Sequence, residues 1–275
     1  MPELPEVETV CRTLEPRVLG MRVTGLEVRE PRLRWKIDTS RLNESIMGQS
    51  VKSVTRRAKY VQVFLSGEMC LLIHLGMTGR LSVVARGSLW ETHDHVSFEL
   101  DTGCELRFND TRRFGSIDVC PVSQLDMHPR LVHLGPEPLG SEFDGAYLHS
   151  ISRGVRQPIK AFVMDAKRVV GVGNIYACEA LFMAGVHPKA RAGRLGQTRC
   201  ERIVDSIQQV LNDSIERGGT TIKDFENAAG KPGAYGVNLL VYGREGESCS
   251  RCSNSVRRFV QGGRSTFYCP GCQYV

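Results

Sequence analysis

The sequence predicts an α+β fold in three parts: a β-sandwich or flattened barrel introduced by one helix, a helical middle, and a small cysteine-bounded hairpin at the end. Three observations carry this. Apolar residues alternate or cluster in short runs between about 60 and 108. They recur at helical spacing after about 131, and the chain closes on two Cys-x2-Cys pairs. At 275 residues there is room for two or three modules, and 41% hydrophobic content is that of a protein with a sizeable core. No stretch reaches the roughly 18 consecutive apolar residues that a membrane span needs.

The first helix is expected over 5–19, where Val7, Val10, Cys11, Leu14 and Val18 share one face and Gly20 stops the run. Strands follow. Val61, Val63 and Leu65 alternate, Met69 to Ile73 is a buried-type run, and Val96, Phe98 and Leu100 alternate before a Thr102-Gly103 turn, with Leu106 and Phe108 beyond it. Pro136 and Pro138 mark a linker, and helical segments follow near 144–153, 157–166, 174–184 and 198–217, the last with Ile203, Ile207, Val210 and Leu211 in register. Residues 226–238 read as a glycine-rich loop. The expected modules are 1–130, 131–246 and 247–275.

Lys and Arg outnumber Asp and Glu by 36 to 30, a formal charge of +6, which favours an anionic partner without establishing one. The excess is concentrated at the end: between Cys249 and Val275 stand Arg251, Arg257, Arg258 and Arg264 and no acid. Six of the ten cysteines are scattered, mostly in apolar stretches, and no basic-then-apolar leader opens the chain. A reducing, cytoplasmic setting is the expectation. No heptad pattern points to self-association, so a monomer is expected.

The strongest motif is Cys249-x2-Cys252-x16-Cys269-x2-Cys272. Two such knuckles bring four thiolates into a tetrahedron around Zn²⁺, and with all four ligands from protein the ion is structural. The spacer reads as a hairpin turning at Gln261-Gly262-Gly263-Arg264. Four thiolates and one Zn²⁺ carry a formal charge of −2, so the arginines leave this module positive. Arg264 beside the turn suits a phosphate contact, and equally a solvated turn.

Other motifs are weaker alone. Pro2-Glu3-Leu4-Pro5-Glu6-Val7-Glu8 has the composition of an ordinary helix start, proline and acids in the first turn. Removal of Met1 would make Pro2 a terminal secondary amine, and an α-amino group with a pKa of about 7.7–8.0 is partly neutral and nucleophilic at physiological pH. Glu3 and Glu6 lie within one turn of it. Gly171-Val172-Gly173-Asn174 opens a helix either as an anion-binding terminus or as a tight interhelical turn. Arg112-Arg113-Phe114 reads as a basic pair beside a wedge or as a strand end with a core Phe. His93 and His95, two apart, are expected on one strand face, and no third ligand at sensible spacing makes them a metal site.

Taken in order, Pro-Glu-Leu-Pro-Glu-Val-Glu at 2–8, Arg-Arg-Ala-Lys-Tyr at 56–60, His-Leu-Gly-Met at 74–77, Arg-Arg-Phe-Gly at 112–115, Leu-Gly-Pro-Glu-Pro-Leu at 134–139, Gly-Val-Gly-Asn-Ile-Tyr at 171–176, Val-Tyr-Gly-Arg at 241–244 and the terminal cysteines resemble bacterial formamidopyrimidine-DNA glycosylases. The resemblance spans essentially the whole chain. It implies an N-terminal β-sandwich, a helix–two-turn–helix module and a zinc finger, acting on damaged double-stranded DNA with no small-molecule cofactor. It further implies that Pro2 attacks C1′ of an oxidised purine nucleotide and that the strand is then nicked by β,δ-elimination. Glu3 would serve as acid or proton shuttle, Glu6 would hold the site, and Lys59 would contact the lesion-side phosphate and assist elimination. Met77, Arg112 and Phe114 would fill the gap left by the extruded nucleotide. His74, Lys160, Asn174, Tyr242 and Arg264 match phosphate-contact positions, Arg264 also matches the second elimination, and His93 matches a DNA-contact position more weakly.

Two departures qualify the likeness. Thr111 stands where the family often has proline, and 230–238 falls on the family's variable lesion-reading loop. Two rivals remain at this level. The endonuclease VIII branch prefers oxidised pyrimidines, and Leu-Pro-Glu-Val-Glu after Glu3 looks like the purine branch instead. A silent DNA-binding protein would have no need of Pro2, Glu3 and Lys59.

Overall fold

The computed structural model describes residues 2–219 and 239–275. The glycine-rich stretch 226–238, and with it the expected lesion-reading loop, lies outside them. Contacts divide the described chain into two compact units, one built mainly on 2–132 and the other on 133–216 together with 239–275.

The first unit opens with α1 (Leu4–Val18). Leu4, Val7, Val10, Cys11, Leu14 and Val18 recur at three- and four-residue steps and are all buried, so one stripe seals against the sheets. Pro5 fits the first turn, where its missing N–H has no intrahelical partner to lose. After β1 (Val23–Val28) comes a short α2 (Thr39–Ile46), started by Asp38 accepting from the Arg41 N–H at 3.1 Å. Seven antiparallel strands follow: β2 (Val51–Arg57), β3 (Tyr60–Leu65), β4 (Met69–His74), β5 (Gly79–Ala85), β6 (Asp94–Leu100), β7 (Cys104–Asp110) and β8 (Ser116–Pro121). They pair into two four-stranded sheets, β1-β6-β7-β5 and β2-β3-β4-β8. Their inward residues, among them Val61, Val63, Ile73, Val96, Phe98, Phe108 and Ile117, form one core with the apolar stripe of α1. Each such large side chain contributes roughly 1.5–3 kcal/mol on burial.

This sandwich agrees with the sequence expectation and is richer than it. The spacing found the region of β3, β4, β6 and β7 and passed over β1, β2, β5, β8 and α2. The reasons are local. Gly25 interrupts β1 at a register shift, where a Cβ would meet Glu99 Cδ at 2.7 Å. In β2 the exposed positions carry Lys52 and Thr55 and its end is Arg56-Arg57, so no clean alternation shows.

The second unit holds α3 (Gly145–Ser152), α4 (Ile159–Val163), α5 (Asn174–Met183) and α6 (Gln197–Glu216), close to the four expected segments. Every residue of α5 from Ile175 to Phe182 is buried, so this helix is packed on all sides. Tyr176 meets Ser214 of α6 through a hydroxyl pair at 2.7 Å. The unit ends in the antiparallel hairpin β9 (Arg257–Gln261) and β10 (Arg264–Tyr268). Its turn is Gly262-Gly263, both with positive φ, as a two-residue hairpin matched to strand twist requires. Among the described residues no helix is long and apolar enough to cross a membrane.

Candidate functional site

In the first unit the site begins at the start of α1. Glu3 is the N-cap, and its backbone N–H donates to Glu6 Oε2 at 2.8 Å within a reciprocal capping box. Both carboxylates are buried, Glu3 at 2% exposure and Glu6 at 0%, and Pro2, directly before the cap, is buried as well. Burying two carboxylates is costly, and a helix start offsets it with backbone N–H donors and the positive end of the dipole.

Lys59 stands at the tip of the β2–β3 hairpin, after Ala58 at φ 54°. The tip is anchored from below. Arg56 Nε pairs with Glu8 of α1 at 3.0 Å while its Nη1 donates to the Ala58 carbonyl at 3.0 Å. On the neighbouring strand, His74 lies opposite Tyr60, their rings 4.8 Å apart edge to face. Burial, then the Lys59, Arg34 and Arg130 cations, push the His74 imidazole down to about 4, so it is neutral at physiological pH. Its Nδ1 accepts from the Gly76 N–H at 2.9 Å, which leaves the proton on Nε2 as a donor.

Two loops, 75–78 after β4 and 111–115 after β7, are packed backbone to backbone. A Cβ on Gly76 would come within 2.5 Å of Gly115 N, and one on Gly115 within 2.7 Å of the His74 carbonyl. A single buried carboxylate fastens both. Asp110 accepts from Thr78 Oγ1 at 2.5 Å, Arg112 N at 3.3 Å and Gly115 N at 2.7 Å. The loops present Met77, Arg112 and Phe114. Phe114 is 43% exposed with the Arg112 guanidinium 4.6 Å from its ring centre, so it is no core residue. His93 does not share a strand face with His95: it precedes β6 with φ 74°, and the ladder is irregular at that point. Its carbonyl accepts from the Asp110 N–H at 3.1 Å, which ties it to the same two loops.

In the second unit Lys160 is only 1% exposed. Its Nζ donates to Asn174 Oδ1 at 2.5 Å and to Thr266 Oγ1 at 2.7 Å, while Asn174 Nδ2 donates to the Ser265 carbonyl at 3.0 Å. Lys160 therefore joins α4, the N-terminus of α5 and the hairpin, with Arg264 exposed two residues before Thr266. Tyr242 packs edge to face on Phe267 at 5.0 Å, and its backbone is held by Glu179, which accepts from the N–H groups of Leu240, Val241 and Tyr242 at 2.7, 3.0 and 2.8 Å. Burial of Glu179 raises its pKa against the pull of those three donors.

The four cysteines converge. All four Sγ atoms lie within 4.8 Å of one another, with Cys249–Cys272 at 3.8 Å and Cys252–Cys269 at 3.4 Å. A tetrahedron with Zn–S bonds of about 2.3 Å has edges of about 3.8 Å, and the observed separations bracket that value, so the cage suits zinc. Donors surround the sulfurs, Arg251 N to Cys249 at 3.4 Å and Asn254 Nδ2 to Cys252 at 3.3 Å, as thiolates require. The site holds one structural zinc ion. Among the scattered cysteines, burial pushes Cys11 and Cys70 up to about 12, which keeps them neutral packing residues.

Sequence reasoning passed over Asp110 and Glu179. Glu179 had a legible signal, a lone acid inside Ile-Tyr-Ala-Cys-Glu-Ala-Leu-Phe. Asp110 had less, because an acid at a strand end is ordinarily solvated.

Comparison with known proteins places these features in context. Residues 1–117 match the formamidopyrimidine-DNA glycosylase N-terminal domain, 134–226 its H2TH domain, and 246–275 the zinc finger found in FPG and IleRS. The chain is 48% identical to the formamidopyrimidine-DNA glycosylase of Thioalkalivibrio sulfidiphilus and 47% to that of Alkalilimnicola ehrlichii, covering 99% of this chain and 100% of each relative. The fold is similar to that of Lactococcus lactis Fpg solved with abasic-site DNA (TM-score 0.91, 32% identity) and with Fapy-dG DNA (TM-score 0.91, 31% identity), each covering 99% of this chain and 100% of that one.

Proposed function

Because the chain belongs to the formamidopyrimidine-DNA glycosylase family, we propose that Pro2, freed by loss of Met1, is the nucleophile through which it excises oxidised purines. The protein is a DNA glycosylase and AP lyase that binds damaged DNA. The observation that best supports the proline assignment is the capping box that buries Glu3 and Glu6 directly beside it.

The amine of Pro2 attacks C1′ and the base leaves with a proton. The sugar ring opens, and Glu3 moves the proton between base, ring oxygen and solvent while Glu6 holds the Glu3 backbone. A secondary amine yields an iminium, a permanently charged electron sink. Loss of the 2′ proton then expels the 3′ phosphate. Loss of the 4′ proton expels the 5′ phosphate, and water releases the sugar fragment from Pro2. The mechanism draws on no small-molecule cofactor. Chemistry at C1′ requires the nucleotide outside the stack, at a cost of a few kcal/mol. Met77, Arg112 and Phe114 offset that cost by filling the gap. Lys59, His74 through Nε2–H, Asn174, Tyr242 and Arg264 bind phosphates, His93 makes a flanking contact, and Lys160, through its bonds to Asn174 and Thr266, holds that surface in place. Arg264 also assists the second elimination.

The modules in this reading are 1–130 for chemistry, 131–246 for helix–two-turn–helix binding and 247–275 for the zinc finger. The enzyme works as a cytoplasmic monomer. Lesion choice tests the purine assignment. A duplex with 8-oxoguanine opposite cytosine is expected to be cut faster than one with thymine glycol, leaving phosphates at both ends of a one-nucleotide gap. Equal or reversed preference would overturn the purine assignment, and a product retaining a sugar fragment would overturn the β,δ sequence.

A further inference from the structure

We infer that Gln261 is a further phosphodiester contact of the hairpin, acting with Arg264 on the same phosphate. This rests on the reading of Arg264 as a phosphate ligand and extends it to a residue to which that reading gives no role. Gln261 and Arg264 are direct cross-strand partners flanking the Gly262-Gly263 turn, so their side chains leave the same face of the hairpin. Thr266, two residues along β10 and therefore on that face too, is where Lys160 Nζ docks. Beside it lies a cavity of about 170 Å³ lined by Lys160, Met164, Gln261 and Arg264.

The amide of Gln261 is the informative group. Both Nε2 and Oε1 are removed from solvent, and among the described residues neither has a hydrogen-bond partner. A buried amide with an idle donor and an idle acceptor is unfavourable unless a ligand completes it. The surroundings indicate which ligand. Two cationic side chains line the cavity, so its occupant is an anion, and an amide satisfies an anion's oxygen with Nε2–H while Oε1 accepts from the neighbouring guanidinium. A DNA phosphate bound by Arg264 meets both demands at once. Gln261 thereby both touches the phosphate and fixes the direction of the Arg264 fork.

The test is binding of the full-length, zinc-loaded protein to a duplex with a stable abasic-site analogue, measured across salt concentrations. Zinc content is expected to match wild type in every variant, and the melting temperature of Gln261→Ala is expected not to fall, because an unsatisfied amide is removed. Gln261→Ala is expected to bind about five- to tenfold more weakly with the wild-type salt slope, since a neutral donor releases no counterion. Gln261→Glu is expected to bind more weakly still, its carboxylate facing the phosphate. Arg264→Ala is expected to lose affinity and also about one unit of salt slope. Weakened Arg264→Ala with wild-type binding in Gln261→Ala, or Gln261→Glu no weaker than Gln261→Ala, overturns the inference alone. Wild-type binding by both Gln261→Ala and Arg264→Ala overturns it together with the phosphate reading beneath it.

Discussion

The sandwich loops and the zinc hairpin both present cations to the outside, yet they are held by opposite means. Loops 75–78 and 111–115 rest on a large apolar core and are fastened by one buried carboxylate, Asp110, satisfied by a hydroxyl and backbone N–H groups. The hairpin has strands of five residues and a small apolar cluster built from Val256, Phe267 and the α5 residues Cys178 and Phe182. A hairpin of that size is marginal by itself. Its order depends on four thiolates and an ion instead of on burial. Where a deep core lies beneath, a buried acid can position a loop, as Asp110 does here and Glu179 does for 240–242, whereas the hairpin tip beyond such a core needs a metal.

That contrast can be broken most directly at the metal. Replacing Cys249 and Cys252 by Ser removes a structural ion whose binding is worth on the order of 10 kcal/mol in small zinc modules. Zinc content is expected to fall to zero and duplex affinity by at least about a hundredfold, while the near-ultraviolet signature of the sandwich persists. Full affinity in the metal-free variant would show the hairpin to be peripheral.

The corresponding cut in the sandwich is Asp110→Ala. It strands the Thr78 hydroxyl proton and the Gly115 N–H around a fully buried position, while the Arg112 N–H keeps Thr78 Oγ1 at 3.1 Å. Urea denaturation is expected to show a loss of about 3 kcal/mol, each idle buried donor costing about 1–3 kcal/mol less what water recovers. Asp110→Asn, which keeps one acceptor, should lose less stability and, if these loops form the proposed wedge, still excise slowly because both are loosened. Wild-type rates in Asp110→Asn would mean the carboxylate serves stability alone.

An effect of similar size is expected in the pH dependence of stability. An unfolded histidine takes up its proton near 6.5, whereas folded His74 does so only near 4. Between those values the unfolded state binds more protons, so stability is complete above 6.5 and declines as pH falls toward 4. The expected decline is on the order of 3 kcal/mol, and His74→Gln should remove that component. An unchanged pH profile in the variant would place the titration elsewhere. Smallest of all in stability is Phe114→Ala, an exposed change expected to alter unfolding by less than about 0.5 kcal/mol. Affinity for an abasic-analogue duplex should nonetheless fall about tenfold, and an unaltered affinity would remove Phe114 from the wedge.

How much of this was legible follows the same division. The zinc cage is local in sequence, so four cysteines and their spacing specify it outright. The helices after 144 declare themselves because burial repeats at helical spacing. The sandwich shows only where both faces of a strand are apolar or alternate cleanly, as at Val61–Leu65, and disappears where Arg56 and Arg57 crowd a strand end. The least legible parts are groups whose role depends on distant backbone. Asp110 reads as a solvated strand end, and only the fold brings Thr78 and Gly115 to it. In sequence Lys160 matches no more than a phosphate-contact position, and only the fold shows it buried between Asn174 and Thr266. His93 misled for a related reason, since spacing of two places it on a strand that in fact begins one residue later.

The nucleophile is the claim on which the rest stands, and borohydride reduction during turnover of a lesion-bearing duplex tests it most directly. Trapping followed by peptide mapping is predicted to find the DNA fragment on the N-terminal peptide, attached to Pro2, with Met1 absent from the active protein. An adduct mapped to Lys59 or another lysine, or full activity in protein that retains Met1, would contradict the assignment.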